Sequence, residues 1–103
     1  MNITEALEQA RPGIVSDVKT AIRKRHLNQR AEQTYLHWIS RFVLFHDIKD
    51  PGNLVEEDQR LFLEYLKEKI RVSRARLNQA SQALSFFYED VLGIPAAQAN
   101  VAA

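Results

Sequence analysis

Between Asn28 and His46 the chain reads NQRAEQTYLHWISRFVLFH, in which Ala31, Tyr35, Trp38, Ile39, Phe42 and Phe45 recur every three or four residues. That period puts them on one stripe of a helix, whereas a strand would need alternation at every second residue. Asn28 is a good N-cap for it. A stripe this apolar must be covered, so the rest of the chain is constrained to supply other amphipathic elements around it.

Three further segments carry the helical period. After the break at Pro12-Gly13, Ile14, Val15, Val18 and Ile22 predict a helix from about Ile14 to Arg25. HDIKDPGN reads as a loop, and LVEEDQRLFLEYLKEK as a helix burying Leu61 or Phe62, Tyr65 and Leu66. Ser73 can cap a last helix with Leu77, Ala80, Ser81, Leu84, Phe87, Tyr88 and Val91 facing inward, ended by Gly93 and Pro95. Nothing alternates as a strand. The expectation is an all-α, four-helix fold over residues 14–95, with an N-terminal extension at 1–13 and a linker-like tail at 96–103.

At 103 residues one hydrophobic core is expected, and three Gly and three Pro are too few for a disordered or collagen-like chain. Cysteine is absent, which excludes a disulfide framework and a thiolate metal site. The acidic start lacks the plan of a secretory signal, and no apolar run approaches the roughly 20 residues that span a bilayer. A soluble, cytoplasmic protein is expected.

The formal net charge of +1 conceals blocks of opposite sign. Residues 11–30 hold Arg11, Lys19, Arg23, Lys24, Arg25 and Arg30 against Asp17 alone, and residues 69–76 hold Lys69, Arg71, Arg74 and Arg76 with no acid. Between them, residues 47–68 are net acidic, and the third predicted helix opens on Glu56, Glu57 and Asp58 as the helix dipole favours. The second and fourth predicted helices do the reverse. They are approached through RKRHLNQR and RVSRAR, placing guanidinium groups beside free backbone N–H groups, a combination that attracts phosphate.

Two such starts on one small domain suit a polyanion, and duplex DNA is the obvious one. Arg74, Asn78, Gln82 and Ser85 form a polar stripe on the fourth helix, matched by Arg30, Thr34, His37 and Arg41 on the second. The amides of Asn78, Gln79 and Gln82 are of the type that reads adenine edges, although polar stripes also occur on any amphipathic helix facing water. The aromatic residues sit at core spacing and are assigned to packing. His26, His37 and His46 lack metal-ligand spacing, and no phosphate-cradling Gly loop or nucleophile elbow occurs, so neither a cofactor nor catalysis is expected.

The stretches IRKRHLNQRAEQTYLHWISRFVLFH and VSRARLNQASQALSFFYEDVLGIP together resemble the N-terminal core-binding (SAM-like) domain of tyrosine recombinases of the phage-integrase family, integron-type integrases above all. The matching positions are Arg23, Arg25, His26, Arg30, Glu32, Tyr35, Trp38, Ile39, Arg41, Phe42, Phe45 and His46, then Ser73, Asn78, Gln79, Ala80, Ala83, Leu84, Phe86, Tyr88, Val91 and Leu92. Leu27, Asn28, Ala31, Ala75 and Arg76 stand where that family often has Tyr, Ser or Thr, so several hydroxyls that would touch phosphate are missing. The resemblance implies an orthogonal SAM-like bundle forming one jaw of a clamp on duplex DNA. A separate C-terminal catalytic domain would cleave the strand, since this chain has no His-x-x-Arg motif of its own. A monomeric isolated domain and a parent that oligomerises on DNA are further implications.

The expected DNA-binding residues are Arg23, Lys24, Arg25, His26, Asn28, Arg30, Arg71, Ser73, Arg74 and Arg76 on the phosphates, with Asn78, Gln79 and Gln82 in the groove. The alternatives are a helical protein-interaction module with a basic surface, and a small enzyme with a dispersed site.

Overall fold

The structure, a computed structural model, describes residues 4–94. Among them there is no strand. The helices are α1 (Thr4–Ala10), α2 (Ile14–Lys24), α3 (Gln29–Phe45), α4 (Glu56–Tyr65) and α5 (Arg74–Phe86). A 3-10 turn spans Pro51–Asn53, and π-helical segments prolong α4 over Leu66–Ile70 and α5 over Phe87–Val91.

The long apolar stripe is the axis of the fold. Trp38, Ile39, Phe42 and Val43 of α3 are buried, and α1, α2, α4 and α5 all pack against that helix. They contribute Leu7, then Val18 and Ile22, then Phe62, then Ala80, Ala83 and Leu84. Ala80 and Ala83 are fully buried, and their small side chains let α5 come close to α3. The Tyr35 and Phe86 rings lie 4.9 Å apart and those of Phe42 and Tyr88 6.2 Å apart, while Arg76, at the other end of α5, lies over Trp38. Both ends of α5 thus meet the same two turns of α3, so the helices cross instead of running side by side.

Several expectations are corrected. A further helix occupies residues 4–10 within the expected N-terminal extension, so the described residues hold five α-helices instead of four. Its Leu7 is fully buried, a burial that contributes about 1.5–3 kcal/mol, and two turns are too short for a period to stand out in the sequence. Glu8 then accepts hydrogen bonds from the N–H groups of Gly13 (2.6 Å) and Val15 (3.4 Å), serving the start of α2, whose N-cap glycine has no side chain. Phe62, not Leu61, faces the core of α4, and Ser81 is exposed where an inward position was expected. Phe45 remains 37% exposed, stacked on Tyr65 at 4.9 Å. Pro95 and the tail 96–103 lie outside the described residues.

The loop between α3 and α4 is tied down by polar contacts. His46 Nε2 donates to the Asp58 carbonyl at 2.8 Å, and the buried Tyr88 hydroxyl donates to the Pro51 carbonyl at 2.9 Å. Burial, with Asp58 and Asp50 nearby, holds that phenol well above its ordinary pKa. No helix among the described residues is long and apolar enough to cross a membrane.

Candidate nucleic-acid interface

The two basic blocks fold into two helix-to-helix junctions built on one plan. At the first, α2 ends at Lys24, His26 takes a left-handed conformation (φ 56°), and Asn28 opens α3. The Asn28 side-chain amide oxygen Oδ1 accepts from the Ala31 N–H at 2.9 Å. At the second, the π segment after α4 ends at Ile70, Arg71 is left-handed (φ 59°), and Ser73 opens α5, its hydroxyl accepting from the Arg76 N–H at 3.2 Å. Each junction therefore runs left-handed residue, apolar residue, cap: His26-Leu27-Asn28 and Arg71-Val72-Ser73.

This geometry revises the electrostatics expected from sequence. Arg23 and Lys24 lie in the last turn of α2 and Arg25 caps its C-terminus, while Arg71 caps the C-terminus of the segment before α5. There the helix dipole favours a cation. Only Arg30, Arg74 and Arg76 stand in the first turn of a following helix, where it does not. Glycine is the usual left-handed residue at such helix ends, so histidine and arginine hold these positions at a conformational cost of roughly 1–2 kcal/mol each.

All thirteen expected DNA-binding residues are exposed, but they are not equivalent. Arg25 forms a two-pronged ion pair with Asp90 (Nε–Oδ2 2.5 Å, Nη2–Oδ1 3.0 Å), tying the first junction to the end of α5. Arg76 lies 5.5 Å above the Trp38 ring. Arg23, Lys24, Arg30, Arg71 and Arg74 have no acidic partner among the described residues.

The polar stripe of α5 connects the junctions. It begins at Arg74 beside the second one, and its far end, Gln82 and Ser85, lines a shallow cleft of about 310 Å³ with Arg25, Leu27 and Tyr35 of the first. From Arg74 to Ser85 is about 17 Å of helix axis. Glu89 and Asp90 also line this cleft, and Arg25 neutralises Asp90. Glu89 has no cationic partner among the described residues and leaves a negative charge at that edge.

Sequence reasoning placed Arg41 on a stripe but not in the site. The structure sets its guanidinium 5.3 Å from the same Trp38 ring that Arg76 covers. The signal was present in the three-residue spacing of Trp38 and Arg41, but the approach of Arg76 was not. Beside them His37 stands edge-on to Trp38, its Nε2 buried without a hydrogen-bond partner among the described residues, and burial, then Arg41 and Arg76, push its pKa below the ordinary value.

Comparison with known proteins gives this chain a family. Residues 14–98 match the phage integrase N-terminal SAM-like domain, and the chain belongs to that family. It is 35% identical over 79 residues to an integrase/recombinase of Escherichia coli, and equally to one of Pseudomonas aeruginosa. The aligned region covers 77% of this chain and 23% of each relative, so the chain spans about a quarter of the length of the proteins it matches.

Proposed function

We propose that this domain grips duplex DNA at its two basic junctions, with the exposed face of α5 spanning the groove between them. The observation that carries this reading is the stripe Arg74, Asn78, Gln82 and Ser85, which runs about 17 Å from Arg74 at the second junction to a cleft lined by Arg25 and Leu27 of the first. A major groove about 12 Å wide, with a phosphate backbone on either side, fits beneath such an arrangement. Arg23, Lys24, Arg30, Arg71 and Arg74 hold phosphates, and Arg76 does so from its perch on Trp38. The Asn28 amide nitrogen and the Ser73 proton, neither engaged in capping, add hydrogen bonds to the backbone, and His26 lies against the same strand. Asn78, Gln79 and Gln82 face base edges. Arg25 keeps the first junction in place through Asp90.

In this reading the domain is one jaw of a site-specific tyrosine recombinase of the integron type, and it positions a C-terminal catalytic domain that breaks and rejoins the strand. The parent assembles as an oligomer on DNA. Family membership and the two integrase/recombinase relatives support the recombinase context, and the integron kinship rests on the resemblance of IRKRHLNQRAEQTYLHWISRFVLFH and VSRARLNQASQALSFFYEDVLGIP. A salt titration of binding to a mixed-sequence duplex tests it. With about five phosphates neutralised, log affinity falls against log salt with a slope near −4 to −5. Absence of binding at low salt refutes the reading and leaves the basic surface to an acidic protein partner.

A further inference from the structure

Arg41 and Arg76 come from different helices, yet both guanidinium groups lie over the ring of Trp38, itself 1% exposed. Neither has an acidic partner among the described residues. Stacking on an indole attracts a cation to the ring and fixes its position, but leaves the N–H edges of the guanidinium free to donate. Two guanidinium groups drawn to one ring from α3 and α5 concentrate anion-binding donors around it. His37 lies against the same ring, its centroid 5.0 Å from that of Trp38, with Nε2 buried and unpartnered among the described residues.

Resting on the DNA-binding reading above, we infer that Arg41 and Arg76, steadied by Trp38, form a phosphate clamp in which backbone binding is accompanied by proton uptake at His37. The coupling follows from the charges around the imidazole. Burial disfavours its charged form, Arg41 on its own helix opposes a further positive charge, and Arg76 on α5 does the same; no group of α1, α2 or α4 is among the causes. A phosphate between the two guanidinium groups cancels that opposition and adds an attraction, so the imidazolium becomes easier to form. By linkage, a complex that binds a proton more tightly than the free protein binds DNA more tightly as pH falls.

NMR titration of the His37 ring, with the free domain and with a mixed-sequence duplex in excess, measures this directly and separates His37 from His26. The midpoint is expected to rise on DNA binding, by less in Arg41→Gln, and Arg41→Gln is expected to bind the duplex about fivefold to tenfold more weakly at equal ionic strength. His37→Gln should remove that part of the pH dependence of affinity. An unchanged His37 midpoint with the duplex bound, or wild-type affinity in Arg41→Gln, overturns the clamp and leaves the rest of the DNA-binding reading intact. Inorganic phosphate producing the full shift overturns it in favour of a free-anion site. No duplex binding by the wild-type domain ends both.

Discussion

Helix α4 and the two junctions are all rich in charge, but they treat arginine in opposite ways. On α4, Arg60 donates to Glu57 at 2.6 and 2.8 Å and to Glu64 at 2.6 Å, so its charge is answered within one helix. Those contacts raise the arginine above its ordinary pKa and lower Glu57 below its own. At the junctions, Arg23, Arg30, Arg71 and Arg74 have no such partner among the described residues, and Arg71 holds a left-handed conformation besides. The same residue type is thus closed off on one face and left open on another. Open like charges repel one another, and the phosphate backbone of the proposed complex would relieve that repulsion.

The contrast is most severely tested by salt. Raising it from about 50 to about 200 mM is expected to weaken duplex binding on the order of a few hundredfold, whereas a shallow slope would mean that the open arginines do not meet phosphate. Next in size is a paired comparison: Arg74→Ala should reduce affinity about tenfold and the salt slope by about one, while Arg60→Ala on the closed face should alter neither. Arg71→Gly sets stability against binding. Relief of the left-handed strain should stabilise the domain by about 1 kcal/mol, after the entropy that glycine adds to the unfolded chain, raising Tm by about 4–8 °C while DNA affinity falls. If affinity holds, Arg71 is not part of the surface. Glu89→Gln should raise affinity about twofold to threefold by removing the negative charge in the cleft.

The smallest effect concerns the free domain. The His37 pKa is lower in the folded state than its ordinary 6.5, so the unfolded chain binds more protons in the window just below that value. Stability therefore rises with pH through that window and is lost as pH falls, a dependence that His37→Gln should reduce in urea melts recorded against pH.

Much of this was legible in the chain because it is local. Asn28 and Ser73 are recognisable as caps since the groups they serve are three residues away, and the period of α3 announces its buried face. What escaped depends on groups remote in sequence. Arg25 reads as a free cation until Asp90, 65 residues on, is found against it. Arg41 and Arg76 share a ring only because α5 crosses α3. The π-helical segments have no sequence signature, so the reading of RVSRAR as a helix start assigned Arg71 to the wrong helix end.

What the chain determined by itself was therefore the all-helical class, the central amphipathic helix and the position of two basic blocks, because periodicity, capping and charge composition are written within a few residues. The tertiary structure alone decided that Leu7 joins the core, that Arg25 is paired, and that the two blocks are joined by one exposed stripe of α5. These outcomes rest on the crossing of helices, and a crossing depends on how side chains far apart in sequence fill the space between them.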